Sequence, residues 1–179
     1  IEASYLLTLW LKDVPEYAVL FCQLIMIQML IEKFTFQITH AIRAVGNIRN
    51  FQVAESIACL VYLPFAYLLF KTGYDASYIY WLAIANSLIV AAVRFYYGHK
   101  IAEIDVWSFS KNAILPIIIP VIIAFGIGIA IKGIMPESFL RLVILSLTSC
   151  LSFTILFWIV GLNKDERNKW VGIIKKIKK

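Results

Sequence analysis

The sequence predicts an all-α, polytopic transmembrane helical bundle, and two observations support this fold class. Hydrophobic residues make up 61% of the chain and charged residues only 16%, whereas an ordinary soluble domain is about one quarter charged. The segments 76–93, 113–131 and 142–162 contain no charged residue, and a bilayer core requires about 20 apolar residues per spanning helix. Because these runs do not alternate between apolar and polar residues, they indicate helices and not barrel strands.

Turn and capping signals divide the chain into three parts. Residues 1–12 have the composition of the last turns of a spanning helix, so we expect the chain to be the C-terminal part of a longer protein. Residues 13–162 are predicted to form a five-helix bundle, and residues 163–179 a basic amphipathic tail. The five helices are expected at about 15–45, 49–71, 75–98, 111–132 and 136–161.

Local residues set most of these boundaries. Pro15 suits the first turn of the first span, and Gly46 favours a tight turn after it. Gly73 is a helix-stop signal at the end of the second span. Asp75 or Ser77 is expected to provide the N-cap of the third.

The distribution of Lys and Arg predicts the orientation. When successive loops are assigned alternately to the two sides of the membrane, one side has four of these residues. The other side has twelve, seven of them in the tail. The positive-inside rule therefore places the tail in the cytoplasm. Topology accounts for the net charge of +6, so this charge does not indicate nucleic-acid binding.

The tail has a helical pattern of its own. Trp170, Ile173, Ile174 and Ile177 recur at helical spacing and lysines surround the other face. Such a helix is expected to lie on membrane lipids of the anionic inner leaflet. Topology anchoring and a specific partner site are both compatible with this pattern.

The first span is unusually polar for a membrane helix. At 100° per residue, one arc about 80° wide contains Gln28, Glu32, Thr35, Thr39 and Arg43. A neighbouring arc contains Lys33, Gln37 and His40. Ionisable groups at this depth cost several kcal/mol unless they pair or meet water. Together with Glu55 of the second span, these residues are predicted to line an aqueous cavity.

A purely structural role is the alternative for these charges. Glu55 would then pair with His40 or Arg43 to hold the helical hairpin, and Glu32 and Lys33 would neutralise each other. Arg94 is predicted to lie at a helix end and to extend its guanidinium to the membrane surface.

The sequence contains no enzymatic constellation. It has two histidines, and neither a phosphate-binding glycine loop nor a metal-ligand motif occurs. Cys22, Cys59 and Cys150 lie inside hydrophobic runs, so free thiols and no metal site are expected. A charged helix without catalytic residues favours transport over catalysis.

Several segments resemble Wzx-type polysaccharide flippases of the multidrug/oligosaccharidyl-lipid/polysaccharide exporter superfamily, which also contains the MATE transporters. The matching segments are WLKDVPEYAVLF (10–21), 31–32, HAIRAVGNIRNFQ (40–52), LVYLPFAYLLFKTG (60–73) and the closing GLNKDERNKWVGIIKKIKK (161–179). Tyr62 stands where this family usually has asparagine. The resemblance extends over essentially the whole chain.

The resemblance implies that the chain is the C-terminal lobe of a two-lobed transporter in the bacterial inner membrane. Such a transporter moves undecaprenyl-pyrophosphate-linked oligosaccharide to the outer leaflet by alternating access. It uses no cofactor and is driven by an H⁺ or Na⁺ gradient. Its other partners would be membrane lipids, the missing N-terminal lobe, a polysaccharide polymerase and a chain-length regulator, but no nucleic acid.

The resemblance also implies roles for the polar residues. Lys33, His40 and Arg43 would contact the anionic substrate, with Gln28 and Gln37 lining the cavity beside them. Glu32 and Glu55 would serve in ion coupling or gating.

Other functions remain open at this point. A MATE-type multidrug antiporter shares the fold but would favour acidic cavity groups, and lipid II flippases usually carry further helices. A membrane glycan polymerase or ligase would need a large external loop, whereas the predicted outer loops are short. A purely structural subunit would leave the intramembrane charges unexplained.

Overall fold

The computed structural model describes residues 2–11, 13–162 and 167, and this part of the chain is all-helical. Five helices are long and apolar enough to cross a membrane, which confirms the predicted fold class and makes the chain a multi-pass membrane protein. A short helix, α1 (Ala3–Trp10), precedes α2 (Ala18–Val45), α3 (Arg49–Lys71), α4 (Ser77–Ala102), α5 (Val106–Ile134) and α6 (Phe139–Gly161). The amphipathic tail predicted at 163–179 lies outside the described residues, apart from Arg167.

Two glycines end helices where the sequence predicts turns. Gly46 follows α2 with φ 90°, and its N–H donates to the carbonyl of Arg43 at 3.2 Å. Gly73 follows α3 with φ 78°. Both positions use the left-handed region, which glycine occupies without steric cost. At its other end, α2 begins at Ala18, so Pro15 precedes the helix and does not lie in its first turn as predicted.

The bounds of α4 differ from the prediction at both ends. Ala76 is its N-cap and makes no side-chain capping bond, so neither Asp75 nor Ser77 caps the helix. At the other end, α4 continues past Gly98 to Ala102 and stops at Glu103, which adopts φ 51°. Gly98 is buried. Gly98 therefore allows α4 to approach α2 closely and does not end the helix.

The fourth span begins five residues before the predicted position 111. Its start includes a π-helical turn, Ser110–Ile114, which immediately precedes the segment containing Pro116. Proline lacks an N–H and its ring collides with the carbonyl four residues earlier. A wider turn relieves that collision and allows the helix to continue. The fifth span begins later than predicted, at Phe139, with the Ser138 hydroxyl as its N-cap.

The helices form two compact units. The N-terminal unit comprises Ala3–Val106, and within it α4 packs against both α2 and α3. The C-terminal unit comprises residues 1–2 and 107–179, and within it α5 packs against α6. The buried positions of α5 are Pro120, Ala124 and Gly128, at four-residue spacing. This spacing places small side chains on one helix face, where they allow close packing in membranes.

The C-terminal unit contains a buried ion pair at the start of α6. Arg141 is 3% exposed and its Nη2 lies 2.8 Å from a carboxylate oxygen of Glu2. Its Nη1 donates to the carbonyl of Met135 at 3.0 Å, and its backbone N–H donates to the Ser138 hydroxyl. Within the described residues, the Arg141 Nε and the Glu2 Oε1 are buried without a hydrogen-bond partner.

Gly98 provides a direct test of the α2–α4 packing. A Cβ at Gly98 would lie 2.5 Å from Cγ2 of buried Ile38, so Gly98→Ala is expected to lower the free energy of unfolding by about 1–3 kcal/mol. Gly126→Ala is the control, because a Cβ there meets nothing within 4 Å and alanine favours helices by up to about 1 kcal/mol. Thermal unfolding of the purified protein in detergent measures both variants. An equal unfolding midpoint for Gly98→Ala and the unmodified protein would contradict this packing.

Candidate functional site

Three helices of the N-terminal unit meet at a polar junction. We define this polar junction as Glu32 and Thr35 of α2, Glu55 of α3, and Ser87 and Arg94 of α4. Thr35 and Ser87 are buried. The ion pair of Arg94 and Glu55 has side-chain exposures of 11% and 18%. The junction therefore lies inside the packed part of three spans.

Arg94 connects all three helices. Its Nε donates to Oε1 of Glu55 on α3 at 2.8 Å. Its Nη1 donates to the Thr35 hydroxyl at 3.2 Å and to the backbone carbonyl of Glu32 at 3.3 Å, both on α2. A charge at this depth is tolerated when an opposite charge and further hydrogen-bond partners surround it. Arg94 has both.

The prediction that Arg94 extends to the membrane surface is therefore wrong. The helix continues eight residues beyond Arg94, which places it well inside the span. A signal was available in the sequence, because Ser87, Ala91, Arg94 and Gly98 follow helical spacing. That face is rich in small residues, and it is the face on which α4 packs. An arginine on such a face is directed into the bundle.

The Glu32 carboxylate is held differently from that of Glu55. It accepts a hydrogen bond from Nε2 of Gln28 at 3.3 Å and a long one from the Ser87 hydroxyl at 3.5 Å. The same hydroxyl donates to the carbonyl of Ala83 at 2.9 Å. Among the described residues, no cation forms an ion pair with Glu32. Its charge is therefore the less compensated of the two carboxylates.

A second polar feature lies on an exposed face of the same helix. We define the α2 polar stripe as Lys33, Gln37, His40 and Arg43, all of which are exposed. The ring of Phe36 is close to one cation of the stripe and to the arginine of the junction. Lys33 Nζ is 5.6 Å from the ring centroid, and the Arg94 guanidinium carbon is 5.7 Å from the same centroid.

The structure thus separates the predicted cavity residues into two groups. Gln28, Glu32 and Glu55 belong to the packed interior or border it, whereas the α2 polar stripe is uncovered. Arg43 shares the arc of Glu32 on the helix circumference, but it lies near the end of α2 and is exposed. Cavity lining remains a prediction for the stripe.

The pairings expected from a purely structural role are not formed. Glu55 pairs with Arg94 and not with His40 or Arg43. The physical reason is that α4 packs on both α2 and α3, so the neighbour of Glu55 comes from α4. Glu32 and Lys33 are consecutive residues, and their side chains diverge by about 100° around the helix axis.

The structure offers no metal-ligand cluster within its described residues, because no group of three or more His, Cys, Asp or Glu side chains is close enough to hold an ion. The three cysteines are free thiols in this part of the chain. The chemistry available at the junction is ion pairing and proton exchange at a carboxylate. The stripe can bind anions and hydrogen-bonding groups.

Comparisons with protein-family models, with characterised proteins and with solved structures found no significant match to this chain. The functional interpretation therefore depends on the geometry of the polar junction and the α2 polar stripe.

Proposed function

We propose that this chain is part of a transporter that moves an anionic, lipid-linked oligosaccharide across a bacterial cytoplasmic membrane, as a Wzx-type flippase does. The observation that carries the proposal is the α2 polar stripe. Its four polar side chains are exposed on a helix that is apolar enough to span a membrane. A spanning helix does not present such a face to hydrocarbon without a large free-energy cost.

The composition of the stripe favours an anionic ligand. Lys33 and Arg43 carry positive charges, His40 can carry one, and Gln37 adds an amide. No acidic side chain belongs to the stripe. Arginine and lysine form strong charge-assisted hydrogen bonds with phosphate oxygens. A pyrophosphate that bridges a lipid and a saccharide matches this set of donors.

The junction supports a division of roles between the two glutamates. The charge of Glu55 is compensated by Arg94, so Glu55 is assigned to holding α3 against α4. Among the described residues, the Glu32 carboxylate accepts hydrogen bonds only from the neutral side chains of Gln28 and Ser87. It is therefore the better candidate for binding a proton or a sodium ion during transport. In this proposal the ion gradient acts through Glu32.

The remaining expectations about the cellular context belong to this proposal. The C-terminus lies in the cytoplasm, as the distribution of Lys and Arg indicates. A second, N-terminal lobe completes the cavity that the α2 polar stripe faces. The polymerase and chain-length regulator that process the exported saccharide act on the side of the membrane opposite the cytoplasm.

Deletion of the gene for the full-length protein tests the function. We expect undecaprenyl-pyrophosphate oligosaccharide to accumulate and the surface polysaccharide to disappear, because the lipid-linked intermediate can no longer reach the outer leaflet. Extraction and mass analysis of lipid-linked saccharides measure the first effect. Intact surface glycan with new sensitivity to cationic drugs would instead indicate an extrusion antiporter.

A further inference from the structure

The N-terminal unit contains a cavity that neither the junction nor the stripe accounts for. It has a volume of about 430 Å³ and opens between α2, α3 and α4. Its polar lining consists of Gln28, Tyr62, Tyr80 and Asn86, and the Cys59 thiol also borders it. Gln28, Tyr62 and Asn86 lie nine or more residues from the ends of their helices, whereas Tyr80 lies in the first turn of α4. The cavity therefore extends from the start of α4 to membrane depth.

Three of the lining side chains have unused hydrogen-bonding capacity. Within the described part of the chain, the side chains of Tyr62, Tyr80 and Asn86 make no hydrogen bond to the protein. None of their polar atoms is fully buried, so each can be reached by an occupant of the cavity. Lipid tails cannot supply the missing partners. The arrangement thus points to a polar occupant of the cavity.

We propose that this cavity binds a neutral saccharide ring. Phenol and amide groups both donate and accept hydrogen bonds, as sugar hydroxyls do, and none of the four polar lining groups carries a formal charge. Phe21 packs against Tyr80 with ring centroids 4.4 Å apart, which holds the Tyr80 ring at the cavity wall. A polyhydroxylated ring can satisfy these groups while its C–H faces contact the aromatic rings.

This inference rests on the proposed function, because the transported lipid-linked oligosaccharide is the source of the saccharide. It extends that function by assigning two parts of the substrate to two different surfaces. The α2 polar stripe contacts the charged pyrophosphate, and the cavity contacts a neutral sugar unit. Tyr62, Tyr80 and Asn86 then contribute to selecting the sugar.

Water is the competing occupant. A cavity of this size holds on the order of ten waters at about 30 Å³ each, and waters alone would satisfy the same polar groups. A bound saccharide and bound water differ in their expected effect on chemical modification of the Cys59 thiol. Only a saccharide site shields the Cys59 thiol in proportion to the concentration of added sugar.

The first experiment uses the full-length protein with every cysteine except Cys59 replaced by alanine. Its probe is the oligosaccharide released by mild acid from the parent cell's own lipid-linked saccharides. We expect this oligosaccharide to slow alkylation of Cys59 by a water-soluble maleimide at least fivefold. Asn86→Leu and Tyr62→Phe are expected to raise the half-protecting concentration about tenfold. Tyr67→Phe is the matched control, because this exposed tyrosine lies on α3 outside the cavity lining.

Alkylation that is unaffected by the oligosaccharide would show a cavity filled by water and overturn the proposal. Complete resistance of Cys59 to the reagent would also overturn it, because a site for a sugar must be reachable from water. If the unmodified protein restores export to a deletion strain and Asn86→Leu does so equally well, the cavity assignment fails while the transport function stands. If deletion causes no accumulation of lipid-linked saccharide, the transport function fails instead.

Discussion

Replacing Arg94 with methionine is expected to lower the free energy of unfolding by about 3–5 kcal/mol. The substitution removes the cation that faces Glu55 at 2.8 Å and leaves a carboxylate unpaired inside the bundle. It also removes the hydrogen bonds to the Thr35 hydroxyl and the Glu32 carbonyl. Denaturation of the purified full-length protein in mixed micelles measures the change. We expect no other single substitution discussed here to have a larger effect on stability.

A double-mutant cycle separates the ion pair from packing. Glu55→Met alone leaves Arg94 without its carboxylate and is also expected to destabilise the protein. The double variant Arg94→Met/Glu55→Met removes both charges, and we expect it to recover most of the lost stability. Arg49→Gln is the control, because this arginine is exposed at the first position of α3. Additive effects of the two single substitutions would show that the pair does not couple α3 to α4.

Neutralising the α2 polar stripe is expected to reduce export at least tenfold while leaving stability nearly unchanged. Lys33 and Arg43 are exposed, so Lys33→Gln and Arg43→Gln remove charge without opening a cavity. A hydrogen bond to a charged group contributes about 1.5–3 kcal/mol, which corresponds to roughly a tenfold change or more for each contact. Initial rates of surface-polysaccharide recovery in a deletion strain measure export.

Two controls accompany the stripe variants. Lys71→Gln removes a positive charge at the end of α3, outside the stripe, and is expected to export normally. Lys33→Arg keeps the charge and should retain much of the activity. If the Lys33→Gln/Arg43→Gln variant supports export at the normal rate, the stripe does not contact the substrate. A parallel loss of protein from the membrane would mean that these residues act on stability.

The contrast between Glu32 and Glu55 shows what local pattern can predict about a buried charge. Both carboxylates are identifiable from the sequence as intramembrane groups, because each lies within an apolar helix. Their partners are not identifiable in this way. The donors to Glu32 come from Gln28, one turn earlier, and from Ser87 on α4. The cation opposite Glu55 comes from α4, 39 residues further along the chain.

The sequence by itself determined the fold class, the number of spans and the polar character of α2. These properties depend on composition and on helical period, which are local, and a bilayer allows few other arrangements of long apolar segments. The ends of α2 and α3 also followed from the sequence, because Gly46 and Gly73 adopt a backbone conformation that glycine favours.

Only the tertiary structure decided which helices are neighbours. The structural alternative paired Glu55 with His40 or Arg43 within the α2–α3 hairpin, but α4 packs against both α2 and α3. This arrangement makes Arg94 the partner of Glu55. It also makes Gly98 a point of close approach to Ile38, and it brings Tyr62, Tyr80 and Asn86 around one cavity. Each of these contacts joins residues far apart in the chain. Their formation depends on the packing of whole helix faces, which no local pattern encodes.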